Sequence, residues 1–152
     1  MPSPRDAYSY RQDAAVPRFA DDKPVIIFDG HCVLCSGWAM FVVRHDRQAR
    51  FRLLPAQSPL GSALYQHFGL DPVDYETNIL IADGRAWVKS EGSIRMFEGL
   101  GFPWSLAAAF RILPLGVRDR GYELLARNRF RIFGRRDVCF APDASIKDRF
   151  LA

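Results

Sequence analysis

Cysteine is scarce in this 152-residue chain: there are only three, at positions 32, 35 and 139, too few and too unevenly spaced for the disulfide framework of a small secreted protein. That scarcity points to a reducing setting, and the expected location is cytoplasmic. The first twenty residues, MPSPRDAYSYRQDAAVPRFA, lack the apolar core of a secretory signal. Their Pro, Asp and Arg content reads instead as a flexible N-terminal tail over residues 1–22. Long hydrophobic runs are missing too. The stretch from Trp104 to Leu115 is interrupted by Arg111 and Pro114 and falls short of the ~20 residues that cross a bilayer, so no membrane span is expected. There is no second C-x-x-C and no flavin or nicotinamide fingerprint, which leaves no bound cofactor to expect and assigns any electron supply to a thiol partner. Internal repeats, low-complexity tracts and interdomain linkers are likewise absent.

What is present suits one folded unit over residues 23–152: 49% hydrophobic and 25% charged residues, well away from the composition of disordered chains. The formal charge of +4 is too modest to imply nucleic-acid binding. After Lys23-Pro24, the β-branched run Val25-Ile26-Ile27-Phe28 stops at Asp29-Gly30 and predicts a buried strand. Residues Cys32 to Asp46, apolar on most faces, predict a helix packed against it. A second strand is expected at Phe51–Leu54, ended by Pro55, and a helix from Pro59 to Phe68 with Ser58 at its start and Gly69 at its stop. Asn78–Ala82 and Arg85–Val88 flank Asp83-Gly84, the dipeptide that supplies the positive φ of a two-residue hairpin. Helices are then expected at Ser93–Leu100, Trp104–Leu113 and Arg118–Arg131. A β-α-β-α-β-β-α order with a C-x-x-C after the first strand is that of an α/β thioredoxin-like core, here with an added C-terminal helical layer.

The chemistry centres on Cys32-Val33-Leu34-Cys35. A sulfur at a helix N-terminus meets unpaired N–H groups and the positive end of the helix dipole, which favour the thiolate. One turn on, Cys35 can reach it to form a disulfide. The expected cycle is attack by Cys32 on a disulfide and displacement of the mixed disulfide by Cys35. Asp29 and His31 flank the attacking sulfur. Asp29 is a candidate proton acceptor for the resolving thiol, and a protonated His31 would stabilise the thiolate; alternatively, Asp29-Gly30 only shapes the turn and His31 caps or faces water. C-x-x-C spacing also serves zinc, but only Cys139, His31, His45 and His67 remain as further ligands, so no metal is expected. Iron–sulfur ligation would need a shared dimer site, and two inert buried cysteines are the blandest option. Cys139 is either a buried apolar residue or a third redox thiol. The block Arg127, Arg129, Arg131, Arg135 and Arg136, interleaved with Phe130 and Phe133, is either a solvated face with packed aromatics or a surface for RNA or an anionic membrane.

The run Phe28-Asp29-Gly30-His31-Cys32-Val33-Leu34-Cys35, with Trp38 and Phe41, resembles the DCC family of thiol-disulfide oxidoreductases, named for the Asp, Cys and Cys of its D-x-x-C-x-x-C motif. Three further stretches resemble the family in order: Phe51 to Gln57 with Ser58, Gly101-Phe102-Pro103-Trp104 ahead of Pro114, and Tyr122 with Ala126 to Gly134 and Cys139. The resemblance runs from about residue 25 to the end and implies Asp29, Cys32 and Cys35 as functional residues, with a structural or redox duty for Cys139. Two departures from thioredoxin-like proteins stand out. The usual cis-proline before the third strand has Glu76-Thr77-Asn78 in its place, Pro72 lying too early, and residues 102–134 have no counterpart in a minimal thioredoxin. The expected partners are a disulfide substrate and a thiol reductant. The alternative function is a non-enzymatic thioredoxin-like module whose Arg127–Arg136 surface binds an anionic partner.

Overall fold

The computed structural model describes residues 8–70, 78–134 and 149–150. Four short strands form the sheet: β1 (Val25–Phe28), β2 (Arg52–Pro55), β3 (Ile79–Ala82) and β4 (Arg85–Val88). Their order is β2-β1-β3-β4, with β2 parallel to β1 and the other neighbours antiparallel. Pro55, expected from sequence to end the ladder after Leu54, is instead its last paired residue, opposite Phe28. It is tolerated because β2 lies at the sheet edge. The β3–β4 turn has positive φ at both Asp83 (54°) and Gly84 (76°), the geometry that a two-residue hairpin requires.

All four β1 residues are fully buried, because both faces of the strand are covered. Val25 and Ile27 pack with Leu60, Leu64 and Tyr65 of helix α2 (Pro59–His67). Ile26 packs with Val42 of α1 (Val33–His45) and Met96 of α3 (Lys89–Gly99), and Phe28 packs with the two cysteines and Ala39 of α1. This is the mixed α/β arrangement of a thioredoxin-like core. A 3-10 helix (Trp104–Ile112), α4 (Leu115–Arg127) and a short α5 (Arg129–Phe133) add the C-terminal layer.

Three elements differ from expectation. Helix α3 starts at Lys89, four residues early, because its polar first turn is received by α4: Lys89 Nζ meets Glu123 at 2.6 Å and Ser90 donates to Asp119. The Trp104 segment is a 3-10 helix rather than an α-helix. The helix expected over Arg118–Arg131 starts at Leu115 and breaks at Asn128, which caps α4. Residues 8–22, read from the sequence as tail, contribute Tyr10 and Val16 to the core on the α2 side. Tyr8 N–H donates to Gly84 O at 2.8 Å, and His67 is held by both Ser9 and Asp13. At the other terminus, Arg149 Nη2 reaches the buried Asp46 at 2.6 Å, and Phe150 forms a bridge to Leu53 beside β2.

Candidate active site

Cys32 is the N-cap of α1. It has extended backbone angles (φ −88°, ψ 123°), and its sulfur accepts the Cys35 N–H at 3.2 Å. The sulfur therefore fills the place a Ser or Asp oxygen takes at other helix starts, satisfying one of the free N–H groups there. The turn before it is built by Asp29. Its Oδ1 accepts the His31 N–H (2.9 Å) and the Gln57 amide (2.5 Å), while Gln57 Oε1 accepts the Gly30 N–H (2.9 Å). Residue 57 thus clamps the strand-to-helix turn from the end of β2.

The other carboxylate oxygen, Asp29 Oδ2, faces Arg129 Nη2 at 3.4 Å, and both side chains are nearly inaccessible. The α4–α5 break explains how Arg129 gets there. Once the helix is interrupted at Asn128, the Arg129 side chain turns inward, with Nη1 donating to Ala126 O at 2.6 Å. A buried ion pair of this kind is strongly disrupted when one partner is removed.

The two cysteines lie within 3.1 Å of each other, both reduced. A hydrogen bond from the Cys35 thiol, joined by the Cys35 backbone N–H and the charge of Arg129, outweighs burial and pulls the Cys32 thiol down to about 7. Donating that same hydrogen bond, together with burial, pushes Cys35 strongly up. The pair holds one proton on Cys35 and places the first charge on Cys32.

Access is divided the other way. Cys32 is fully buried, whereas Cys35 lines a cavity of about 230 Å³. Leu34 and Trp38 of α1, Phe97 of α3, and Tyr122 and Leu125 of α4 supply its apolar walls, with Asn78, Ser93 and Arg129 as the polar groups. The C-terminal layer thus closes over the redox pair.

Among the expected residues, the structure brings Asp29, Cys32 and Cys35 together, and His31 contributes its backbone N–H to Asp29. Asp29 is held by Gln57, His31 and Arg129, and its charge acts on both cysteines, disfavouring ionisation of each. Cys139, Thr77, Pro72, Arg135 and Arg136 lie outside the described residues. Of the arginine block, Arg127 and Arg131 are exposed, while Arg129 is buried at the site and leaves the supposed anion-binding surface. Sequence reasoning missed Gln57, Tyr122 and Arg129 as site residues, although all three fall in the stretches that carried the family resemblance. Among the described residues no group of three or more His, Cys, Asp or Glu could hold a metal ion, and no helix is long and apolar enough to cross a membrane.

The family model for DCC1-like thiol-disulfide oxidoreductases matches residues 26–135. The chain is 36% identical over 127 residues to YuxK of Bacillus subtilis, an uncharacterized protein, covering 84% of this chain and 93% of YuxK. It is 35% identical over 136 residues to a chloroplastic DCC family protein of Arabidopsis thaliana, covering 89% and 79% respectively. No solved structure matches.

Proposed function

The chain belongs to the DCC1-like thiol-disulfide oxidoreductase family, and on that premise we propose that it catalyses thiol–disulfide exchange by cycling Cys32 and Cys35 between dithiol and disulfide. The observation that carries this reading is the juxtaposition of the two sulfurs at a helix N-terminus, with both the N–H and the thiol of Cys35 directed at Cys32. With the two residues within 3.1 Å of each other, a short approach of the sulfurs gives a disulfide bond of about 2.05 Å. In the reductive direction the Cys32 thiolate, once its turn opens to expose the buried sulfur, attacks a substrate sulfur, the substrate's other sulfur leaves as a thiolate, and Cys35 displaces the product from the mixed disulfide. Asp29 orients the turn and anchors Arg129, whose charge favours the Cys32 thiolate. The setting that suits this cycle is a reducing one such as the cytoplasm, with a thiol partner returning the pair to the dithiol form.

Equilibration in glutathione buffers, with free thiols counted by mass spectrometry, tests the reading. The expected result is a reversible two-electron couple between about −120 and −270 mV, lost in Cys35→Ser. Failure of the Cys32–Cys35 disulfide to form overturns it.

A further inference from the structure

The cavity beside Cys35 has a chemical character of its own. The polar atoms of its aromatic walls are spent elsewhere: Trp38 Nε1 donates to Met96 Sδ at 3.2 Å, and the Tyr122 hydroxyl accepts the Asn78 N–H at 3.0 Å. What faces the space is hydrocarbon, with Cys35, Ser93 and Arg129 at its edges. A cavity of about 150 Å³ lined by apolar side chains takes up benzene, so about 230 Å³ accommodates an aromatic ring with a short alkyl arm. The Tyr122–Asn78 bond also matters for what does not bind. It takes up the Asn78 N–H, so that donor is closed to a ligand, and α4 walls one side of a half-open space. Leu125, 43% exposed, stands at its rim.

We infer that this cavity binds a small thiol with a compact apolar group, and that such a thiol opens the Cys32–Cys35 disulfide by attacking Cys35, the sulfur the cavity presents. The inference rests on the thiol–disulfide exchange proposed above and names the reductant class that recycles the pair. The thiolate of the bound compound forms a bond to Cys35 Sγ as the Cys32–Cys35 bond breaks. The electron pair leaves on Cys32 Sγ, where the Cys35 N–H and Arg129 receive it. Exchange is faster when the leaving thiol is the more acidic one, and at this helix start that sulfur is Cys32. A second equivalent of thiol then attacks the compound's own sulfur in the mixed disulfide. It releases the compound as a disulfide, and the Cys35 thiolate takes up a proton. Two thiols are oxidised and one protein disulfide is reduced.

The experiment exposes the oxidised full-length protein to 2-phenylethanethiol or to 2-mercaptoethanol at equal thiolate concentration. Disulfide opening is followed by mass spectrometry after acid quench, and the adduct is located by peptide mapping. The phenyl compound is expected to react about tenfold faster or more, as burial of a ring implies, and its adduct is expected on Cys35. Leu125→Gln, an uncharged polar change in the cavity wall, should bring the ratio of the two rates down towards one. Equal rates with the two thiols, or an adduct on Cys32, overturn the inference and leave the exchange reading standing. If oxidation yields no intramolecular disulfide, the exchange reading falls and takes the inference with it.

Discussion

Asp29, Arg129 and Cys32 form a chain of charge in which each member depends on the next. Arg129 is buried because Asp29 is there to pair with it, and its charge in turn favours the thiolate of Cys32. Replacing Arg129 with Met keeps the volume and removes the charge. It should leave Asp29 buried without its cation, costing about 3–5 kcal/mol in urea denaturation, and should raise the pKa of Cys32 as read from ultraviolet thiolate absorbance. Arg129→Lys should recover the thiolate more fully than the stability, because it restores the charge but not the planar fork.

The titration of the pair has a sign that can be checked. Cys32 is lowered from 9.0 to about 7, so its ionisation adds stability as pH rises from about 7 to 9, and that contribution is lost as pH falls back through 7. Cys35 is raised, so above pH 9 the unfolded chain releases a proton that the folded one keeps, and stability declines again. The urea midpoint of the reduced wild type, minus that of a Cys32→Ser, Cys35→Ser double variant, should therefore rise and then fall across this range. A flat difference would mean that the cysteines titrate as ordinary thiols. The exchange rate should also fall about tenfold per pH unit below 7, as the thiolate fraction does.

At the level of elements, what could be read from the sequence was whatever is decided by neighbours along the chain. Asp83-Gly84 specifies its hairpin by backbone preference, and Ser58-Pro59 starts α2 by capping, with the Ser58 hydroxyl accepting the Gly61 N–H at 3.0 Å. Cys32 and Cys35 were legible for the same reason: their spacing is one helical turn. The early start of α3 was not legible, because the partners of Lys89 and Ser90 are Glu123 and Asp119, about thirty residues on. Arg129 was read as part of a surface because its helical spacing gives no hint of a break at Asn128, and its partner lies 100 residues away.

Two glycines with opposite expected effects separate local preference from packing. A Cβ at Gly61 would lie 2.5 Å from the Pro55 carbonyl oxygen, a backbone atom at the β2 edge. Gly61→Ala should therefore destabilise by about 1–3 kcal/mol despite alanine's better helix propensity. Gly37, in the middle of α1, is exposed with nothing within 4 Å, and Gly37→Ala should stabilise by about 1 kcal/mol. Urea denaturation of the two variants checks both signs.

Across the whole molecule, the sheet separates the chemistry from much of the structural support. The cysteines, Asp29, Arg129 and the cavity gather on the face covered by α1, α3 and the C-terminal layer. On the opposite face, α2 and residues 8–22 build a cluster around Tyr10, Val16, Leu64 and Tyr65. Tyr10 is 3% exposed, and its hydroxyl donates to Asp21 Oδ2 at 2.9 Å, so the aromatic residue fastens the N-terminal segment to itself as well as to the core. Tyr10→Ala should cost about 3–5 kcal/mol, the range for loss of a large buried aromatic, which is a large share of the stability of a typical domain. The Cys32–Cys35 reduction potential depends on interactions on the other side of the sheet and should move little in the same variant under conditions where it remains folded. A potential that shifted along with stability would show that the two faces act as one unit, with the N-terminal segment influencing the redox pair through β1. An unchanged potential with a lowered urea midpoint would show that residues 8–22 hold the fold together without taking part in the exchange chemistry.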